Sequence, residues 1–374
     1  MRRRILPCLL LPLILLSFAL NLRTAATRAA TPPQSVVVGV NVYDEGFLSP
    51  AEQDAEIERL AKNGVKTIRT GLSKKSVYFI TQAFRHGIGS VVIISPTSGS
   101  QAKTKLRWSD APLSGADPQG FVRWLKPVLD QLEVAGVRLA AMELGNEINT
   151  SGYNGDIPMP GTGRALGLAD LNNPKDPEGP AIAIGFRNYL HILEALKDVR
   201  DHSKLNKTTP ILLPGLADWG LPSTKAWDAK AGVSLGVSLP DTIEFLRQNG
   251  LEKLVDGYGA HVYPTGDPHA TVPARMAELD KKKIFSECSR DKPCWLTEWG
   301  IPNGQSCPID DANRTQVIGS RAQGLRAARS AGTVGAAVIY YTWSGTSTAV
   351  DPMGVFRCGV LTSAGRAALS PMSN

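Results

Sequence analysis

The feature that most limits the fold of this chain is an alternation of short apolar runs with helical patterns. Each run is rich in β-branched or other apolar residues, and a turn and a helical pattern follow it, which is typical of parallel βαβ units. Eight such runs occur, at residues 36–42, 67–72, 90–96, 139–144, 210–216, 258–263, 295–299 and 335–343. Eight strands that alternate with helices favour a closed barrel, although a doubly wound open sheet shows the same alternation.

Polar residues at the ends of four runs favour the barrel. In a barrel the C-terminal ends of the strands form one rim, and active sites are built there. The polar residues at these ends are Arg69, Asn146, Glu147, His261, Tyr263 and Glu298. The sequence therefore predicts an α/β fold, a single (β/α)8 TIM barrel. Two long irregular stretches, residues 150–180 and 217–239, predict long loops after the fourth and fifth strands, where they would shape a binding site.

Residues 1–30 have the pattern of a secretory signal peptide, with arginines first, then an apolar stretch, then small residues. A membrane anchor is the alternative, but Pro7 and Pro12 interrupt an apolar stretch of marginal length for spanning a bilayer. We therefore expect a secreted or periplasmic chain with no integral membrane segment after cleavage. Residues 31–374 are expected to form one catalytic barrel domain.

The charge of the chain gives no reason to expect a nucleic-acid partner. The formal net charge is +7, but the five arginines of residues 1–30 leave only +2 on the remainder. A near-neutral surface without clustered Lys and Arg lacks the electrostatic footprint of a protein that binds nucleic acid or anionic membranes. We expect a monomer.

The cysteines after the signal peptide indicate disulfides and no metal. They are Cys288, Cys294, Cys307 and Cys358, an even number in a chain that is expected to be exported. Their spacing is not that of a zinc site, and the five histidines lack metal-binding motifs, so neither a metal nor a cofactor is expected. Four cysteines permit three pairings, of which we predict Cys288 with Cys294 and Cys307 with Cys358.

Two glutamates stand out because each lies among apolar residues where a strand ends. A glutamate in such a place is costly unless it is paired or has a task. The pair Asn146-Glu147 after the fourth run and Glu298 in the seventh resemble the pattern of clan GH-A, the 4/7 superfamily of retaining glycoside hydrolases, and are similar to family 5 and family 39 members. The resemblance spans the mature chain. It implies that Glu147 is the acid/base, Glu298 the nucleophile, and Asn146 the residue that holds the sugar 2-hydroxyl.

The resemblance also assigns five supporting residues. Arg69 is expected to hydrogen-bond the nucleophile and keep it ionised, with a salt bridge at the rim as the alternative. His261 and Tyr263, two apart on one strand, share a face. His261 is expected to contact the sugar and Tyr263 to hydrogen-bond the nucleophile, although a lone histidine is more often structural. Trp343 is expected to lie under the sugar and Trp299 to serve likewise, while core packing is the alternative for both indoles.

Weaker candidates surround this set. Asn41 and Tyr43 follow the first strand and are candidates for lining the cleft. Glu143 shares a strand face with the acid/base, and a structural role deeper in the barrel is expected for it. Tyr153 and residues 218–219 lie in the two long loops and are candidates for substrate recognition, with a solvated insertion as the alternative.

These features predict a secreted glycoside hydrolase that cleaves β-glycosidic bonds of poly- or oligosaccharides with retention of configuration, through a covalent glycosyl-enzyme. A transglycosylase on the same site is the alternative, because it uses the same residues and differs only in the acceptor. A serine esterase is suggested by the pattern G-x-S-x-G at residues 232–236, but no strand pattern precedes it as an α/β-hydrolase requires.

Overall fold

Eight parallel strands close into a barrel, with β1 paired to both β2 and β8. The structure is a computed structural model that describes residues 37–43, 46, 48–101, 111–158, 164–217, 236–264, 271–274, 287–288, 291–330, 334–340, 342–343 and 352–370. The strands are β1 Val37–Asn41, β2 Thr67–Gly71, β3 Gly89–Ile94, β4 Ala141–Leu144, β5 Ile211–Leu213, β6 Gly257–Val262, β7 Cys294–Trp299 and β8 Val334–Tyr340. The predicted TIM barrel is confirmed.

Helices follow seven of the eight strands in the described residues. In the described residues they are α1 Pro50–Lys62, α2 Val77–Arg85, α3 Pro118–Val134, α4 Leu168–Asn172, α5 Gly179–Asp201, α6 Leu239–Gln248, α7 Ala312–Ser330 and α8 Ser363–Ala368. Side-chain caps fix where several begin. Ser49 accepts a hydrogen bond from the Glu52 N–H at the start of α1, and Glu52 binds the Ser49 N–H in return. Asp117 caps α3 by accepting from the Gln119 N–H.

The interior of the barrel changes from apolar to polar toward the C-terminal rim. A small buried cluster fills it at one level and is made of Val91, Ala141, Leu212, Trp295 and Ile339. In the strand register Arg69 pairs with inward-facing Val91, so Arg69 also faces the interior. Glu143, which pairs with Ile93, lies two residues after inward-facing Ala141 and faces the interior as well. The apolar cluster thus forms a floor under charged groups that are themselves completely buried.

Hydrogen bonds connect the long loop after β4 to the long loop after β5. Leu166 and Val237 form an isolated parallel bridge, in which the Leu166 N–H donates to the Gly236 carbonyl over 2.9 Å. Asn149, fully buried just after β4, donates from Nδ2 to the carbonyls of Ala217 and Val237. The segment after β4 is therefore braced from the neighbouring loop. Residues 218–235 lie outside the described residues.

Two disulfides have the predicted pairing. Cys288 and Cys294 have Cα atoms 5.4 Å apart, and those of Cys307 and Cys358 are 5.6 Å apart. The second disulfide joins the loop after β7 to a hairpin formed by β9 Phe356–Arg357 and β10 Val360–Leu361. Arg357 adds hydrogen bonds to the carbonyls of Asn303 and Gln305.

No helix among the described residues has both the length and the apolar character needed to cross a membrane. The predicted signal peptide at residues 1–30 lies outside the described residues.

The two disulfides should differ in how much they stabilise the barrel. Cys307 and Cys358 are 51 residues apart in sequence, so replacing both by Ser should lower the free energy of unfolding by roughly 4 kcal/mol on a chain-entropy argument. Cys288 and Cys294 are only six apart, and replacing both should cost roughly 2 kcal/mol. Urea denaturation of the purified chain measures both values. Equal losses would show that loop closure is not their source.

Candidate active site

A cavity of about 760 Å³ opens at the C-terminal ends of the strands. Several of the predicted site residues line it, whereas Arg69, Glu143 and His261 lie buried beneath them. Its polar and aromatic lining among the described residues includes Tyr43, Ser95, Asn146, Glu147, Tyr153, Tyr263 and Glu298. The barrel therefore brings the sequence-predicted carboxylates to one cleft.

Arg69, in the middle of β2, is the centre of the buried polar groups. Its Nε donates to Glu143 Oε2 over 2.5 Å, and its Nη1 donates to Glu298 Oε1 over 2.6 Å. Asn41 Oδ1 and Asn146 Oδ1 accept from Nη1 and Nη2 over 2.9 and 2.8 Å. Burial lowers the pKa of Arg69, but the two carboxylates raise it above its ordinary value. Arg69 is therefore a fixed cation that links β1, β2, β4 and β7.

Glu298, near the C-terminal end of β7, is held as an anion. Oε1 accepts from Arg69, and Oε2 accepts from the Tyr263 hydroxyl over 2.7 Å. Burial raises the pKa of Glu298, but the charges of His261 and Arg69 and the Tyr263 hydrogen bond together hold it below its ordinary value. The carboxylate is thus ionised and aimed by two donors, one on each oxygen.

Glu147 reaches the cleft through an unusual turn. Its own φ is 39°, in the left-handed region, and Gly145 before it has φ 91°. A Cβ on residue 145 would lie 2.8 Å from Ile148 Cγ2, so the turn requires glycine there. The Glu147 N–H donates to the Gly215 carbonyl over 3.0 Å, which holds the turn against the segment after β5. Strained backbone of this kind concentrates at functional sites.

His261 bridges the two glutamates. Its Nδ1 lies 2.9 Å from Glu147 Oε1 and its Nε2 lies 3.6 Å from Glu298 Oε1. Burial lowers the pKa of His261, but Glu298 and the hydrogen bond with Glu147 outweigh it, so the pKa is raised. The sequence places His261 against a sugar, whereas the structure buries it between the carboxylates. The His261 ring therefore lies between the two carboxylates, within hydrogen-bonding distance of Glu147.

The two glutamates are close together. One carboxylate oxygen of each and a ring nitrogen of His261 all lie within 4.8 Å of one another. Three such groups could also hold a metal ion. However, both oxygens of Glu298 already accept hydrogen bonds from Arg69 and Tyr263, so a cation here would compete with a guanidinium for the same charge.

Asn146 faces the cleft with its amide nitrogen. Because Oδ1 accepts from Arg69, the Nδ2 group is what Asn146 can offer to a sugar hydroxyl. Asn41 is oriented in the same way from below, since its Nδ2 donates to the carbonyls of Thr297 and Tyr340 over 3.0 and 3.1 Å. These bonds leave its Oδ1 to accept from Arg69.

The structure corrects the roles expected for two tryptophans. Trp299 and Trp343 are only 3% and 1% exposed, and neither lines the cavity. Trp299 packs edge to face on Tyr340, and Trp343 stacks on Phe356 with ring centroids 4.9 Å apart. The register of β7 shifts between Leu296 and Trp299, so Glu298 points inward and Trp299 packs on the outer side of the strand. Neither indole is placed to stack on a sugar.

Among the described residues, two tyrosines are exposed aromatic side chains of the cleft. Tyr43, after β1, is 42% exposed and Tyr153, after β4, is 39% exposed, and both line the cavity. The other loop candidates, residues 218–219, and residues 232–235 of the G-x-S-x-G pattern lie outside the described residues.

Sequence reasoning missed Gly215. Its N–H donates to Glu143 Oε1 over 3.0 Å, its carbonyl accepts from Glu147, and a Cβ there would lie 2.0 Å from His261 Cδ2. The only signal in the sequence is the Pro214-Gly215 pair within the fifth run, which ends β5 at Leu213 because proline cannot donate to a ladder.

Comparison with solved structures finds glycoside hydrolases with low sequence identity to this chain. A β-glycosidase is 13% identical and is matched over 83% of this chain and 87% of its own, with a TM-score of 0.48. Fungal β-1,4-galactanases are 17% identical over 89% and 94%, with a TM-score of 0.47. An endo-β-1,4-mannanase from Thermotoga petrophila is 14% identical over 90% and 76%, with a TM-score of 0.48. No family model and no curated protein matches the chain. Its function is therefore inferred from its own site.

Gly215→Ala should disturb the site through His261. The added methyl group would overlap the imidazole, so we expect His261 to leave the two carboxylates and the free energy of unfolding to fall by about 1–3 kcal/mol. Histidine NMR shifts during a pH titration report the first effect and urea denaturation the second. The control is Gly71→Ala, also at the cleft, where a Cβ meets nothing within 4 Å. Unchanged His261 shifts in Gly215→Ala would contradict the placement of this ring.

Proposed function

We propose that this chain is a glycoside hydrolase that cleaves β-glycosidic bonds with retention of configuration. The observation that carries the proposal is the pair Glu147 and Glu298 at the C-terminal rim of the barrel, where one carboxylate oxygen of each lies within 4.8 Å of the other. Retaining enzymes hold their two carboxyl groups about 5–5.5 Å apart, whereas inverting enzymes need about 6.5–9.5 Å to admit a water. The short separation supports direct attack by a carboxylate.

Glu298 is the nucleophile of this proposal. It is ionised, and Arg69 and Tyr263 each bind one of its oxygens. In the first step an oxygen of Glu298 attacks the anomeric carbon, and the bond from that carbon to the leaving oxygen breaks. Charge leaves the carboxylate as the ester forms, so the contacts with Arg69 and Tyr263 weaken and strengthen again when the ester is hydrolysed.

Glu147 is the acid/base. In the first step it gives a proton to the leaving oxygen, and its Oε1 lies 2.9 Å from His261 Nδ1. In the second step Glu147 takes a proton from the water that attacks the glycosyl-enzyme. His261 lies next to both carboxylates, so its charge responds to the loss of negative charge on Glu298 during the first step.

The substrate is proposed to be a poly- or oligosaccharide. Aromatic side chains stack on the apolar faces of sugars, and Tyr43 and Tyr153, which are exposed at the cleft, support this proposal. Export by a signal peptide belongs to the same proposal. The two disulfides support it, since such bonds persist in oxidising compartments.

The two glutamates should give different products when each is removed. Glu298→Ala lacks the nucleophile, so added azide should restore cleavage of an activated β-glycoside and yield the inverted glycosyl azide. Glu147→Ala keeps the nucleophile, so it should still cleave aryl glycosides with good leaving groups and yield the retained azide. Proton NMR of the anomeric centre distinguishes these products.

The unmodified chain supplies the control for this experiment. A panel of β-linked polysaccharides and aryl glycosides identifies a substrate, and NMR during the first turnovers records the configuration of the first product. An inverted first product would overturn the proposed mechanism. Product patterns with and without an added sugar acceptor separate hydrolysis from transglycosylation.

Tyr263→Phe should move the acid limb of the pH profile to higher pH. The hydroxyl donates to the ionised form of Glu298 and so lowers its pKa; without it, Glu298 takes up a proton at a higher pH and nucleophilic attack is lost there. We expect the limb of kcat/KM to rise by about one unit, within the range of effects for a hydrogen bond to a charged group. A limb at its original position would show that another group controls it.

A further inference from the structure

We propose that Glu143 is a positioning residue that keeps Arg69 aimed at Glu298 and balances its positive charge. The inference rests on the proposed function in one respect, since it takes Glu298 to be the nucleophile. Glu143 lies in the middle of β4, beneath the cleft, and its side chain is completely buried. It therefore cannot touch a substrate, and any influence it has must pass through another residue.

Every contact of Glu143 serves to fix its carboxylate. Oε2 accepts from Arg69 Nε over 2.5 Å. Oε1 accepts from the Gly215 N–H over 3.0 Å and from the Thr297 hydroxyl over 3.2 Å. Three donors from β2, β7 and the segment after β5 thus hold one buried anion in place. Because Glu143 takes the Nε edge of the guanidinium, the Nη1 group is left to point at Glu298.

The charges show why an anion is needed at this position. Arg69 is a buried cation with two carboxylate partners, Glu143 and Glu298. A buried charge without its partner is costly, so Arg69 would bind whichever carboxylate remained more strongly. With Glu143 neutral, Glu298 would face the full charge of Arg69. A carboxylate held this tightly is a weaker base and a weaker nucleophile.

The groups around Glu298 determine the direction in which its pKa should change when Glu143 is neutralised. Arg69 and His261 attract its negative charge, and the Tyr263 hydroxyl donates to it. The Glu143 carboxylate, which shares Arg69 with Glu298, repels it, and an oxygen of Glu147 lies within 4.8 Å. Tyr43 faces Arg69, and Tyr189 faces Glu143 as a neutral phenol because burial raises its pKa. Neutralising Glu143 removes a repulsion and releases Arg69, and both changes lower the pKa of Glu298.

A purely structural role makes a different prediction. The Gly215 N–H and the Thr297 hydroxyl are neutral donors, and the amide oxygen of a glutamine accepts from them equally well. Glu143→Gln therefore preserves the shape and these two hydrogen bonds while it removes the charge that faces Arg69. If Glu143 only packs and forms hydrogen bonds inside the barrel, this substitution changes the free energy of unfolding but leaves the pKa of Glu298 unchanged.

The test compares Glu143→Gln with Glu56→Gln. Glu56, on α1, is also a fully buried carboxylate with an arginine partner, Arg59, but it lies outside the cleft. In Glu143→Gln we expect the acid limb of kcat/KM to move down by about one pH unit and kcat to fall by about 10–100-fold. In Glu56→Gln both should stay at the values of the unmodified chain. The limb should thus move opposite to that of Tyr263→Phe.

A measurement without substrate separates this inference from the proposed function. Carbon-13 NMR of labelled glutamate carboxyls, with Glu298→Gln to assign the signal, follows the titration of Glu298 directly. A lower titration midpoint in Glu143→Gln supports the inference even if the chain cleaves no glycoside tested. An unchanged midpoint in folded Glu143→Gln overturns it even if the chain is an active glycosidase.

A second variant covers the case in which Glu143→Gln does not fold. Glu143→Asp keeps the charge but draws it back from Arg69 by one methylene. We expect a shift in the same direction that is a few tenths of a pH unit, smaller than full neutralisation would give. No shift in Glu143→Asp, together with a loss of stability, would assign Glu143 a structural role only.

Discussion

The buried guanidinium of Arg69 is the interaction on which the rest of the site depends. It links four strands through hydrogen bonds to side-chain acceptors. Two of the acceptors are carboxylates, of which one lies beneath the cleft and the other lines it. Removing a cation from water is costly, and the surrounding acceptors offset that cost only while all of them are in place. The position of Glu298 therefore depends on several strands of the barrel, because Arg69, which positions it, is itself bound by four acceptors.

Much of the barrel could be predicted from the sequence because its signals are local. Each strand is an apolar run with a helix behind it, and the capping sequence at Ser49 marks where α1 begins. The two glutamates could be found for the same reason, since a carboxylate among apolar residues at a strand end has few explanations. The pairing of both disulfides could be predicted as well, because the four cysteines lie near β7 and β8.

The features that could not be predicted depend on the direction in which a side chain points and on contacts that the backbone makes. The pairing of β7 with β8 shifts register between Leu296 and Trp299, and the indole of Trp299 turns to the helices. A sequence does not reveal such a shift. The contacts of Gly215 involve only its N–H and carbonyl, which every residue except proline has, so composition carries no trace of them. His261 was placed at the correct strand end, but its neighbours there come from two other strands.

The bridge between Leu166 and Val237 has a consequence for how such an enzyme can change. Because Asn149 binds the loop after β5 from a position two residues beyond Glu147, that loop is part of the support of the Glu147 turn. A graft that replaced one loop alone would leave buried carbonyls and an amide without their partners. New specificities are therefore expected to arise by exchanging both loops together, and recombination between related barrels should succeed when its crossover points fall before β4 and after α6.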